Sequence, residues 1–349
     1  MKRTKDLQTI MKQRAKEVTS SKKMDYVGNS KAIISTGSTL LDLAISGGRV
    51  RGGGIPAGIL VEIFGPSGSG KTVLLCEIAG AVQRQQGEIL FNDPEARLNK
   101  QFARMFDLNT DDIEYSNPDR VPEVFDAIRK WKPKNSEVVN GIFADSLTAL
   151  STDLELGDSG DKMGTRRAKE FSEELRKTCR IFTHKNYLMV CSNQIRQNID
   201  AGPFSQKYCT PGGEAIPFYS SLRLRCYNVQ KLKKKITIKG VEQTRVIGVQ
   251  TTIEVYKSSV WKPYRTAPIC ILFDYGVDDI RTNLQFLKTN NKTTMYAIRE
   301  RKLAQSMDDS IAMVEEQGLE KELKEAVIDT WERIEQEFDS VRKKKERCK

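Results

Sequence analysis

The amino-acid sequence predicts an α/β protein built on a mostly parallel, doubly wound sheet. Three observations carry that expectation. From residue 58 onward, short apolar runs alternate with stretches of helical periodicity, the pattern of strands joined by crossover helices. A glycine-rich segment, residues 65–72, lies between one such strand and the next helix. Asp145 ends another apolar run, where a parallel sheet gathers its strand ends and its ligands.

The elements follow in chain order. Residues 1–31 carry nine Lys/Arg against three acids. Leu7, Ile10, Met11 and Val18 fall roughly on one helical face, so a short basic helix and a linker through Gly28-Asn29 are expected. Order begins at Ile33-Ile34, and Gly47-Gly48 and Gly52-Gly53-Gly54 mark a loop. Residues 58–65 read as a buried strand, and 71–86 as a helix with Leu74, Leu75, Ile78 and Val82 at helical spacing. Then come a strand over 88–92, helices over 99–106 and 122–131, and a strand over 138–145. A helix over 169–184 and a strand over 187–193 complete the alternation. Past residue 220, segments 221–229, 243–256 and 269–273 alternate like antiparallel strands, with a lysine-rich cluster at 231–235. Beyond about 275 the pattern is mostly helical through Val314, Leu319, Leu323, Val327 and Trp331. The expected organisation is an N-terminal helical arm (1–31), a core (32–274), a small α+β C-terminal domain (275–340) and a basic tail (341–349).

Composition narrows the function. Lys and Arg number 57 against 46 Asp and Glu, a net charge of +11, which points to a polyanionic partner, most often nucleic acid. No run of 18 apolar residues exists, so no membrane-spanning helix is expected. The first residues lack the apolar stretch of an export signal, and the seven cysteines are scattered without a CxxC pair. Reduced thiols in a cytoplasmic protein are the expectation. His184 is the single histidine, which removes His-rich metal sites and most Ser-His chemistry.

Gly65-Pro66-Ser67-Gly68-Ser69-Gly70-Lys71-Thr72 is a full GxxxxGK[ST] motif. Its glycines let successive backbone N–H groups point into one concavity, and the helix N-terminus adds positive potential. Lys71 would place a full charge at the β- and γ-phosphates, and Thr72 would ligate Mg²⁺. Asp145 suits the second metal-holding carboxylate of such a site. Glu95, just past the strand 88–92, would stand near the γ-phosphate as the base that positions water. Gln194, ending the strand YLMVCSN with its following glutamine, would contact the γ-phosphate and report its presence. ATP with Mg²⁺ is the implied ligand.

Together these residues resemble the RecA-type recombinases. Ile34-Ser35-Thr36-Gly37-Ser38 with Leu41-Asp42, Val61-Glu62-Ile63-Phe64-Gly65-Pro66, Asn193-Gln194-Ile195-Arg196, and Pro211-Gly212-Gly213 with Phe218-Tyr219 carry the likeness. It runs from about residue 32 to 275, and more loosely to 335. The resemblance implies a RecA-type ATPase core that forms filaments with copies of itself on single-stranded DNA, pairs it with homologous duplex DNA, and hydrolyses ATP in response to DNA. It implies that Glu95 activates water, that Phe102 stacks on adenine with Asn99 nearby, and that Gln194 couples the γ-phosphate to DNA. It implies that Lys257 serves the ATP of a neighbouring subunit, although Ser259 stands where the family has a second cation. Two loops, about 154–165 and 196–213, would bind DNA. Met163-Gly164 matches the family at the first, and Arg166, Arg167 and Arg176 lie on or beside it, with the choice between Arg166 and Arg167 open. Arg196, Phe204, Lys207, Gly212 and Gly213 belong to the second. Cations there would neutralise phosphates and rings would stack on bases. Single-strand-binding and mediator proteins are the further partners such a protein meets. The basic tail departs from the family's usual acidic end and resembles a divergent member of the kind a phage encodes. Two other readings stay open at this point: a RecA-fold helicase or repair ATPase, and a non-catalytic recombination mediator.

Overall fold

The computed structural model describes residues 29–106, 108–151, 163–197, 208–209 and 214–339. The chain enters through β1 (Asn29–Ile34), and then helix α1 (Thr39–Ser46) is capped by the Ser38 side chain and buried along its whole length. The strand β2 (Ile55–Ala57) returns antiparallel to β1. Then the crossover alternation begins: β3 (Leu60–Gly65), α2 (Lys71–Arg84), β4 (Ile89–Asn92), the short α3 (Lys100–Arg104), β5 (Ile113–Ser116), α4 (Val121–Lys130) and β6 (Asn140–Ala144). A long helix α5 (Met163–His184) leads into β7 (Tyr187–Gln194). Two-residue strands β8 (Arg196–Gln197) and β9 (Tyr208–Cys209) pair antiparallel and tie the ends of the second loop together.

After α6 (Ala215–Tyr219) come β10 (Leu222–Ile238), β11 (Val241–Ser258), β12 (Thr266–Leu272) and β13 (Gly276–Val277). The C-terminal part holds α7 (Asp279–Asn291), the hairpin β14 (Ala297–Ile298) and β15 (Arg301–Lys302), then α8 (Met307–Glu316) and α9 (Glu320–Glu337). The main sheet has nine strands in the order β13-β12-β11-β10-β3-β7-β6-β4-β5. From β10 to β5 every pairing is parallel, whereas β10 to β13 pair antiparallel. The doubly wound, mostly parallel sheet is therefore present.

Side chains on the central strands divide with the period of two that a sheet buried on both faces demands. Val61, Ile63, Ile89, Phe91, Leu188 and Val190 join α1 and α2 in one apolar cluster. Leu60, Leu90, Ile142, Met189 and Cys191 join α4 and α5 in the other. The first cluster continues into Leu284, Leu287, Leu323 and Val327 of the C-terminal helices.

Three features differ from the sequence expectation. β5 is an extra parallel strand at the sheet edge, where Ile113 packs against the core and Tyr115, 43% exposed, stacks on Phe91. Helix α5 begins at Met163, so Met163 and Gly164 lie in its first turn rather than in a loop, and nothing from Thr165 to Ala168 breaks a helix. The hairpin β10–β11 runs unbroken through the lysine cluster to a turn at Lys239-Gly240. Both turn residues have positive φ, 50° and 81°, the conformation of a tight two-residue hairpin.

Candidate active site

The ends of β3, β4, β6 and β7 meet at one edge of the sheet, and a pocket of about 300 Å³ opens there. Ser67, Gly68, Ser69, Gly70, Lys71 and Thr72 form one wall, and Glu95, Arg97, Asp145, Ser146, Ser192 and Gln194 form another. Val249, Ile271 and Phe273, from the antiparallel side, supply an apolar flank.

The phosphate loop leaves β3 at Gly65 and enters α2 through Gly70, whose φ is +85°. That conformation favours glycine, and a Cβ at Gly70 would also stand 2.2 Å from Ile271 Cδ1, which would have to shift. The Ser69 hydroxyl donates to Pro66 O at 2.8 Å, and Thr251 Oγ1 donates to Ser69 O at 3.1 Å. These bonds fix the loop from within and from β11. Lys71 is nearly buried, with its ammonium donating to Gly65 O (3.1 Å) and Pro66 O (2.8 Å). Burial pulls its pKa down, opposed by the nearby carboxylates of Asp145 and Glu95.

Asp145 follows β6 directly. Its carboxylate accepts from Thr72 Oγ1 at 2.6 Å and from the Ser192 hydroxyl. Thr72 and Asp145 thus present two hard oxygen groups side by side, a donor set that suits Mg²⁺. Glu95 stands across the pocket. Ser146 Oγ donates to it at 3.1 Å, and Arg97, largely exposed, pairs with its other oxygen at 2.7 Å. Asp93 holds the loop that carries Glu95 by accepting from Leu98 N (2.7 Å) and the Tyr115 hydroxyl (2.9 Å).

The structure therefore brings together Lys71, Thr72, Glu95, Asp145 and Gln194. It does not bring Lys257 or Asn99 into the lining of this pocket. Lys257 lies near the end of β11 and donates to Pro217 O (2.7 Å) and Phe218 O (2.9 Å) at the end of α6. Burial lowers its pKa, with the Arg223 charge adding to the effect. Asn99 is exposed just before α3, and Phe102 lies on that helix. Arg166 and Arg167 both fall within α5, and Arg176 is exposed further along it. Arg196 is on β8. Phe204, Lys207, Gly212 and Gly213, like most of both loops, the arm and the tail, lie outside the described residues.

Sequence reasoning passed over Ser192, Ser146, Arg97 and Asp93. Ser192 had a signal: it lies two residues before Gln194, hence on the same side of β7. Behind the site, Glu62 is fully buried on β3 and accepts from Arg223 Nε (2.5 Å) and Asn193 Nδ2 (2.9 Å). The Arg223 guanidinium lies 4.5 Å from the Phe64 ring centre. No helix among the described residues is long and apolar enough to cross a membrane.

Comparison with known proteins adds to this geometry. The family described as RecA N-terminal domain matches residues 5–278. The RecA protein of Delftia acidovorans is 31% identical over 309 residues, covering 85% of this chain and 78% of that protein. That of Campylobacter jejuni subsp. jejuni is 32% identical over 293 residues, covering 81% and 80%. That of Acholeplasma laidlawii is 29% identical over 299 residues, covering 84% and 85%. With a phosphate loop, a Thr72–Asp145 pair, Glu95 and Gln194 at one sheet edge, and a match across most of its length, this chain belongs to the RecA family of DNA-dependent ATPases that act in recombination by strand exchange.

Proposed function

We propose that this chain assembles on single-stranded DNA as a helical filament with ATP and Mg²⁺, aligns that strand with homologous duplex, and uses hydrolysis to release DNA. The observation that carries the reading is the meeting of Lys71, Thr72, Asp145, Glu95 and Gln194 around one pocket. Thr72 and Asp145 would hold Mg²⁺, which when bound offsets negative charge on the β- and γ-phosphates. The peptide N–H groups of residues 67–72 and the N-terminus of α2 bind phosphate oxygens. Lys71 neutralises charge as it builds on the γ-phosphate, moving from the loop carbonyls that hold it. Glu95, oriented by Ser146 and Arg97, takes the proton of the attacking water. Gln194 senses the γ-phosphate at the end of β7, and β8 and β9 pass that state to the loop they enclose.

In this reading Phe102 and Asn99 flank the adenine. Met163, Gly164, Arg166, Arg167 and Arg176 at one loop, and Arg196, Phe204, Lys207, Gly212 and Gly213 at the other, face DNA. Lys257 completes the site of a neighbouring subunit, which explains how it can matter without lining its own pocket. Residues 1–31 reach a neighbour as the arm, 32–274 form the ATPase core, 275–340 the small C-terminal domain and 341–349 the basic tail. Single-strand-binding and mediator proteins are the further partners, and the cytoplasm is the compartment. The test is strand exchange with homologous and with heterologous duplex, in the presence of ATP and Mg²⁺. Exchange with the homologous duplex alone supports the reading. Unwinding without homology would replace it with a helicase, and absence of DNA-stimulated turnover would replace it with a mediator.

A further inference from the structure

The hairpin β10–β11 outgrows the sheet that bears it. β10 pairs with β3 only over Leu222–Arg225, and β11 pairs with β12 only from Gly248 to Glu254. Beyond those pairings and one bond from Phe273 N to Ile247 O (3.0 Å), the two strands pair with each other down to Ile238 opposite Val241. Between Gln230 and Gly248 stand six cations, Lys231, Lys233, Lys234, Lys235, Lys239 and Arg245, and a single acid, Glu242. All six are exposed. Among the described residues, only Lys235 pairs with a carboxylate on the ribbon itself, Glu242 at 3.0 Å, and that pair is open to solvent. The tip is apolar: Ile236, Ile238 and Val241 are about half exposed, at 46%, 51% and 57%.

We propose that this ribbon is a docking arm for duplex DNA. The charge selects a polyanion. The shape selects the duplex form: a two-stranded β-ribbon is one of the two elements that fit a major groove. The six residues from Lys233 to Ile238 span about 20 Å, a large part of one DNA turn. Chemistry argues against a single strand, because platforms for single strands stack bases on aromatic rings. From Asn228 to Gly248 the ribbon has none. The apolar tip then meets the floor of a groove, where Ile side chains can contact thymine methyls or press on a base step. Register shifts at Tyr227/Gln230 and Leu232/Lys233 bend the strands, as bulges do. The arm is also rooted at the nucleotide site, since Val249 lines the pocket and Thr251 holds the phosphate loop.

This proposal rests on the recombinase reading, and the experiment separates the two. Full-length protein is assembled on unlabelled single-stranded DNA with ATP and Mg²⁺, and a fluorescent heterologous duplex is titrated in at several salt concentrations. The combined variant K233Q/K234Q/K235Q should bind the duplex at least about tenfold more weakly, with a log–log salt slope shallower by about 2.7 if each lysine meets one phosphate. Its single-strand-stimulated ATP turnover should match the parent. The arginine counterpart K233R/K234R/K235R should bind the duplex like the parent. Unchanged duplex affinity and salt slope in the glutamine variant would overturn the arm. So would loss of filament assembly at unchanged duplex binding per subunit, which would make the ribbon a contact between copies. A parent without single-strand-stimulated turnover would overturn the recombinase reading instead. The duplex titrated onto free protein would then still test the arm by the same drop.

Discussion

Glu62 and Lys235 lie on the same sheet and are handled in opposite ways. Glu62, in the parallel half, has no exposed surface, and Arg223 and Asn193 both donate to it. Lys235, on the antiparallel ribbon, is 66% exposed, and its partner Glu242 is 61% exposed. Lys71, held by two carbonyls, follows the first pattern, and the other ribbon lysines follow the second. Charge taken out of water must be matched group by group, so it sits in one geometry and can do chemistry at one atom. Charge left in water is weak pair by pair and screened by salt, yet it sums along a polyanion. The parallel half is therefore suited to turnover and the ribbon to affinity.

Four substitutions test that contrast, from strong effects to weak. Lys71→Ala removes the full charge at the phosphates and should lower single-strand-stimulated ATP turnover roughly a thousandfold. Circular dichroism should stay unchanged, and turnover near the parent's in the folded variant would remove the phosphate-loop assignment. Glu95→Gln keeps volume and the bond from Ser146 but loses the base. Turnover should fall by a few hundredfold with ATP still bound, and the filament should leave DNA more slowly. Faster dissociation than the parent would count against Glu95 as the base. Lys257→Ala should cost about a hundredfold in DNA-stimulated turnover while a single subunit binds ATP normally. Mixed filaments should lose activity in proportion to the variant's share. Full turnover by the pure variant would place the catalytic charge elsewhere. At the weak end, Lys235→Gln breaks the exposed pair with Glu242 and should shift stability by no more than about 0.5 kcal/mol in urea unfolding. A larger loss would show that the ribbon is held by its charges, and the contrast would fail.

The same contrast explains which elements could be read in advance. β3, β4, β6 and β7 are covered on both faces, so their apolar runs stand out, and the observed ends differ from expectation by a few residues. β5 escaped because a four-residue edge strand, Ile113-Glu114-Tyr115-Ser116, has too little apolar content to mark it. The outer ribbon escaped because a strand pair with no buried face has no alternation, and Lys233-Lys234-Lys235 reads as a charge run. At the site, residues bound by local motif were identified: Lys71 and Thr72 follow a glycine pattern, and Asp145 and Gln194 end strands. Ser146 and Asp93 act through contacts across separate strand ends, which spacing along the chain does not encode, and Arg97 through a pair with Glu95 on one loop that no motif marks.

The pairing of β3 has a consequence for the chain as it leaves the ribosome. Leu60 pairs with Met189 and Val61 with Leu222, so both neighbours of this strand arrive more than a hundred residues after it. At about 5–20 residues per second the first neighbour follows some 6–26 s later. Until then β3 has no partner on either side, and the phosphate loop at its end lacks Ser192, Thr251 and the apolar flank. A nascent chain of this protein thus carries its glycine motif long before it can hold a nucleotide. This buried central strand spends that interval with two open edges, a state in which a chain depends on a chaperone.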